Sequence, residues 1–361
     1  MNRILSITVS IIVLTSAVSA FAAPMYSAPA GFKAEPLFST PSETLIEGFD
    51  MDSDGNAYYI ETAYQWYGDP VNWYMPESSA LKKRAPDGAT QTLYNFSSGV
   101  WGSFVRLVGD NVWFGNSSDN VIRSISTGGG AAEDIITLSG QYDLKVNGSE
   151  QVFVSAKPGA GNNIYHIVED ELGDWQADLI AEMGGYSGPI EFDADGNLYY
   201  GFPNYSAGEV VYFNASDIAA ATAEEDYENA ELGSADWTSY CTGLSACSFL
   251  QFDDDAMSTP DLFSSSWQSV VDRVYGQDSA DGFGSSPNWS GLGHMAFVPG
   301  ANDFEPFTCG GGELYLLATD YSYGEYNSTI FGITAVPEPS TILMVLSGLA
   351  AGAGILVRKF R

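Results

Sequence analysis

Through most of the chain, apolar and polar residues alternate with a period of two in short runs, and clusters of Asp, Gly, Asn and Ser separate the runs. That alternation, rich in Val, Ile, Tyr and Phe, predicts half-buried strands rather than helices. One turn-plus-strand pattern recurs six times: SDGNAYYIET from Ser53, GDNVWFGNSS from Gly109, GSEQVFVSAK from Gly148, DGNLYYGFPN from Asp195, TPDLFSSSW from Thr259 and GGELYLLATD from Gly311. Each copy follows another apolar run (LIEGFDM from Leu45, GSFVRLV from Gly102, YDLKV from Tyr142, PIEFD from Pro189, SFLQF from Ser248, HMAFV from His294). Each also precedes a third, as in NVIRSIS from Asn120 and NIYHIVE from Asn163. A fourth strand is expected from Thr90, Glu133 and Gln176, and again in DWTSYCT from Asp236.

After the last copy the third strand runs straight into the C-terminal segment, so that unit lacks its outer strand. FKAEPLFST from Phe32 precedes the first unit, resembles the outer strands, and is placed to complete the last one. A ring closed in this way hides the strand edges that otherwise invite aggregation. The expectation is an all-β, six-bladed β-propeller over residues 23–335, closed by its N-terminal strand. Seven blades stay open because the stretch from Gln277 to Gly291 is poorly assigned; a sandwich or solenoid is the other alternative.

The two ends read differently. Met1-Asn2-Arg3, an apolar stretch from Ile4 to Val18, and Ala20-Phe21-Ala22 have the layout of a secretory signal peptide over 1–22, with cleavage expected near Ala22. At the other end no charged residue occurs from Thr341 to Val357, a length that just spans a bilayer core as a helix, and Arg358, Lys359 and Arg361 follow as a cytoplasmic anchor. Val336-Pro337-Glu338-Pro339 precedes this segment. The two prolines hold the backbone extended beside the membrane, where a protease can grip it. Residues 336–361, with a helix expected over 341–357, resemble the PEP-CTERM sorting signal of Gram-negative bacteria. That resemblance implies recognition by an exosortase, transient anchoring in the inner membrane, and delivery to the cell surface or extracellular matrix.

Composition narrows the partners. Thirteen Lys+Arg against 46 Asp+Glu, a net charge of −33, argues against nucleic acid. Divalent cations, cationic ligands and neutral sugars fit better, with an exopolysaccharide or a surface protein as the expected partner. Asp50, Asp52 and Asp54, followed by Gly55 and Glu61, fit the spacing of a calcium loop, D-x-D-x-D-G-x5-E. The alternative is a hairpin turn, because a strand carries Glu61 away from the turn at about 3.3 Å per residue. Asp193-Asp195 and Asp253-Asp254-Asp255 are weaker versions. Cys241 and Cys247 are spaced for a local disulfide, and a bridge from Cys247 to Cys309 is the other option.

IEFDADGNLYYG from Ile190 resembles the repeats of NHL and gluconolactonase-like propellers, which implies, as an alternative to a non-catalytic binding scaffold, a metal-dependent hydrolase or lactonase. Glu47 and Glu191 lie on inner strands and are candidates to face its channel. No nucleophile elbow accompanies His166 or His294. The aromatic segment YQWYGDPVNWY from Tyr64 reads as an insertion in the first blade and a candidate for stacking on sugars or proteins. AAATAEEDYENAELG from Ala219 reads as an acidic decoration.

Overall fold

The computed structural model describes residues 26–336 apart from 69–72, 160, 186, 204–207, 224–231, 246, 254–260, 267–268, 275–279, 287–289, 300–311 and 323. The expected signal peptide and its cleavage site, the Pro-Glu-Pro segment from Pro337, the helix over 341–357, the basic tail, Asp254, Asp255 and Cys309 lie outside those residues. Among the described residues no helix is long and apolar enough to cross a membrane.

The fold is all-β with a propeller-like arrangement. β1 (Phe32–Ser39) comes first, and β2 (Thr44–Met51), β3 (Ala57–Tyr67), β4 (Trp73–Arg84) and β5 (Thr90–Asn95) then form an antiparallel meander. Four separate four-stranded sheets follow. The first holds β6 (Gly102–Val108), β7 (Asn111–Asn116), β8 (Val121–Ser126) and β9 (Glu133–Thr137). The second holds β10 (Gln141–Val146), β11 (Val152–Ala156), β12 (Asn163–Glu169) and β13 (Trp175–Glu182). The third holds β14 (Ile190–Phe192), β15 (Leu198–Phe202), β16 (Gly208–Phe213) and β17 (Thr238–Leu244), with the one short helix α1 (Ala215–Ala221) between the last two. The fourth holds β18 (Phe249–Phe252), β19 (Leu262–Ser265), β20 (Val270–Val274) and β21 (Ala280–Ser285). The chain closes with β22 (Ser290–Pro299), β23 (Gly312–Asp320) and β24 (Asn327–Ala335), which join the first meander in an eight-stranded sheet.

β1 pairs antiparallel with β24, from Phe32 opposite Ala335 to Ser39 opposite Thr329. The junction is buttoned by Thr40, whose Oγ1 accepts the Ser328 N–H at 2.8 Å and whose own N–H donates to the Ser328 carbonyl at 2.8 Å. By contrast, β2 meets β24 at a single parallel pair, Thr44 opposite Asn327. Further upstream, Ser27 bridges to Ser285 on β21, and the buried Tyr26 donates its hydroxyl to the Phe283 carbonyl.

Large side chains on the sheet faces have nowhere to hide within one twisted sheet, so they pack against the next. Tyr58, Ile60 and Leu81 pack with Val105, Val112 and Phe114; Phe104 with Leu144 and Val154; Phe153 and Ile164 with Ile190 and Leu198. Tyr199 and Val210 pack with Leu250 and Leu262, Phe263 and Val271 with Leu292 and Leu314, and finally Ala296, Val298 and Leu317 with Ile46 and Phe49 of β2. The stretch Gln277–Gly291 contains a regular outer strand, β21. The aromatic segment from Tyr64 takes the form of a lengthened hairpin, because β3 and β4 stay paired as far as Tyr67 opposite Trp73; the aromatic alternation extends the hairpin past the other units' length.

Candidate functional site

Strands β2, β6, β10, β14, β18 and β22, each the first of its meander, pack side by side in succession, β22 also against β2, and four of them are irregular. In β2 the register slips between Ile46 and Phe49, in β6 between Gly102 and Phe104, in β10 between Gln141 and Asp143, and in β22 between Leu292 and Met295. Each slip is a β-bulge, which leaves residues outside the regular pairing and re-aims their side chains. The extra residues include Glu47, Ser103, Tyr142 and His294, and all four line one cavity of about 370 Å³. Gly48 is required beside Glu47: its φ is +127°, and a Cβ there would meet the backbone of Phe104 at 3.1 Å.

The cavity wall is aromatic. Tyr64, Trp73, Trp101, Tyr321 and Tyr326 join Tyr142 in its lining. Tyr326 is held by stacking on Tyr74 at 4.0 Å between ring centroids and edge-to-face on Tyr64 at 5.2 Å. Trp73 and Trp101 remain 63% and 41% exposed, so the rim offers indole faces to solvent.

The floor is polar. Glu47 accepts hydrogen bonds from the Tyr64 hydroxyl and the Gly102 N–H. Burial pushes its carboxyl up to about 8, although the Gly102 N–H and the Thr62 hydroxyl pull the other way. Burial, with Arg106 and Lys145 nearby, drives His294 well below its usual range, so its imidazole is neutral; the ring packs tilted against Phe249, 4.1 Å between centroids. His294 Nδ1 and Gln141 Oε1 are buried with no hydrogen-bond partner. Among the described lining residues, Glu47 is the one carboxylate and there is no Lys or Arg.

Beneath the floor the axis is filled with ion pairs. Arg106 pairs with Asp143 at 2.8 Å and donates to the carbonyls of Phe49 and Leu144; Asp143 also accepts the Ile190 N–H. Lys145 pairs with Glu191 and reaches Gln251 at 3.3 Å, and Asp50 accepts the Leu107 N–H. Burial raises Glu191 against the pull of Lys145. Glu191 therefore faces the axis as expected, but as the partner of a lysine, and Glu47 alone of the two reaches the open cavity.

The acidic turn is dispersed. Asp52 accepts the N–H groups of Asp54 and Asn56 on one oxygen, and Asn56 Nδ2 and the Tyr58 hydroxyl on the other. Four donors occupy the roughly four lone-pair positions of a carboxylate. Asp193 repeats the arrangement with Asp195, Asn197 and Tyr199, and Gly55 and Gly196 sit at φ +79° and +85° where such turns need glycine. Asp50 points to β6, Asp54 stays on the exposed turn, and Glu61 pairs with Lys82. Among the described residues no three His, Cys, Asp or Glu side chains come together as a metal site. His166 is packed on Phe153 at 5.0 Å and held down at about 4 by burial, far from a catalytic arrangement. Cys241 and Cys247 are buried in one apolar cluster and are not bonded to each other; burial pushes the Cys247 thiol up to about 12.

Sequence reasoning found Glu47, Tyr64 and Trp73 but not Trp101, Gln141, Tyr142, Tyr321 or Tyr326 as a group. Their shared signal is position, at or just before the start of an inner strand or in the loop facing it, which becomes visible only once the units are laid around one axis.

Comparison with known proteins separates the two parts of the chain. Residues 335–361 match the PEP-CTERM protein-sorting motif, which implies recognition by an exosortase, export and surface sorting. No curated protein matches the chain by sequence. Among solved structures, a gluconolactonase from Xanthomonas campestris is 12% identical over 85% of this chain and 91% of its own, with a TM-score of 0.53. A catalytically inactive virginiamycin B lyase from Staphylococcus aureus, with quinupristin, is 13% identical over 84% and 100%, TM-score 0.52. Regucalcin, a calcium-binding protein from Agrobacterium tumefaciens, is 15% identical over 85% and 97%, TM-score 0.51. At such identities the likeness carries the fold and not an activity. The chain thus carries a PEP-CTERM sorting motif at residues 335–361, behind a fold similar to that of solved structures such as the gluconolactonase and the virginiamycin B lyase.

Proposed function

We propose that the chain is an exported, exosortase-processed protein of the cell surface or extracellular matrix whose propeller is a non-catalytic binding scaffold. Residues 1–22 are its signal peptide, 23–335 its ectodomain, and 336–361 a removable sorting signal that crosses the inner membrane over 341–357. The ectodomain is a six-bladed ring. Its eight-stranded sheet divides at the single Thr44–Asn327 pair into one blade of β2 to β5 and another of β22 to β24 with β1. The sequence of apolar clusters supports this division, because each joins one blade to the next and the last returns to β2.

One observation carries the binding reading: four bulged inner strands deliver side chains to a single aromatic-walled cavity at one end of the axis. Its volume, about 370 Å³, falls in the range of small-molecule sites, and its mix of aromatic walls with a few polar groups is their usual lining. A metal-dependent propeller lactonase is the second reading, favoured by Glu47 and His294 sharing the cavity. The two separate in a hydrolysis panel of sugar and aliphatic lactones, run on the full chain with and without added divalent metal. No metal-dependent turnover is expected; turnover that disappears in Glu47→Gln establishes the lactonase instead.

A further inference from the structure

The cavity is built as a receptor for positive charge. Its described lining holds one carboxylate, Glu47, among electron-rich phenol and indole rings, and no lysine or arginine. The nearest cations, Arg106 and Lys145, are already paired with Asp143 and Glu191. Aromatic faces attract cations through the ring quadrupole, and more so where water is displaced. The rest of the molecule adds an attractive field, with a net charge of −33. The floor also has acceptor capacity to spare: the Gln141 carbonyl oxygen has no donor, and neutral His294 carries a ring nitrogen without a partner.

We propose that this cavity binds an organic ammonium group, with the Glu47 carboxylate as its counter-ion and Trp101, Tyr64 and Tyr326 as its aromatic walls. This rests on the proposed reading of the cavity as a ligand site and adds the charge of the ligand. A neutral sugar supplies donors but leaves the carboxyl desolvated; an ammonium compensates it.

The test is titration calorimetry on the full chain with cyclohexylammonium, its neutral counterpart cyclohexanol, and methyl glucoside. Cyclohexylammonium binds at least tenfold more tightly than cyclohexanol if the proposal holds. Glu47→Gln removes that preference, and Trp101→Leu, an exposed position that does not threaten folding, weakens ammonium binding by about two- to fivefold. A pH series gives a second readout that a structural role for Glu47 does not produce. The titratable groups that share the cavity are the phenols of Tyr64, Tyr142, Tyr321 and Tyr326 and the His294 imidazole, with the Arg106 and Lys145 pairs below. Glu47, held up at about 8 in their midst, changes charge between about pH 7 and 9. Ammonium affinity therefore rises about tenfold from pH 6 to 7, following the ionised fraction, and levels off only above about pH 9. Equal binding of cyclohexanol, or binding of methyl glucoside alone, overturns the charge assignment and leaves the cavity a ligand site. Failure of all three probes overturns the charge assignment and counts against the cavity as a ligand site.

Discussion

Individual residues do two different jobs along the axis, and burial decides which. Arg106 and Asp143 are 5% and 0% exposed, so their pairing is a matter of not leaving either one alone. Asp143→Ala strands the guanidinium with only carbonyl partners, and a cost of about 3–5 kcal/mol is expected in urea unfolding. Replacing both residues by leucine or methionine restores most of that loss; a double variant as unstable as the single one contradicts the pairing argument. Glu47, one turn of the wheel nearer solvent, keeps its carboxyl only because a bulge aims it into an open cavity. Asp52 and Asp193 show the limit of motif reading at this scale. The D-x-D-x-D-G pattern was legible and formally complete, yet the same atoms that bind calcium in one context here accept the donors of their own hairpin. Spacing alone does not tell the two apart, because both uses require closely spaced carboxylates and a glycine at positive φ.

Among the elements, the hairpins were legible because turn chemistry and period-two alternation agree over nearly every unit. β21 escaped notice because ADGFGS carries little apolar signal, and its position is set by pairing with β20 from Val270 opposite Ser285 to Val274 opposite Ala280. The bulges escaped altogether: nothing in LIEGFDM or HMAFV distinguishes a slipped register from a regular one until the partner strand is known. The closing strand β1 was legible from its likeness to other outer strands, and its pairing with β24 is where the ends of the fold are fastened. Thr40→Val tests that fastening. It removes the acceptor of the Ser328 N–H and the donor to the Thr44 carbonyl at a buried position, and about 1–3 kcal/mol of stability is expected to go with them. A loss below about 0.5 kcal/mol, the size of an ordinary surface substitution, shows that the ends are not fastened there.

At the scale of the whole molecule, the ring and the tail are coupled by their order in the chain. β24 ends at Ala335 and the sorting motif begins at residue 335, so no linker separates the last strand from the segment that the exosortase recognises. Cutting near Pro337–Pro339 therefore leaves the β1–β24 pairs whole and discards only the residues C-terminal to the cut. The most direct measurement is intact-mass spectrometry of the protein recovered from the surface or medium, in cells with and without a functional exosortase. A chain ending close to the Pro-Glu-Pro segment in the first, and a heavier chain retained in membranes in the second, is the expected result. A released protein that still carries Arg361 contradicts the account.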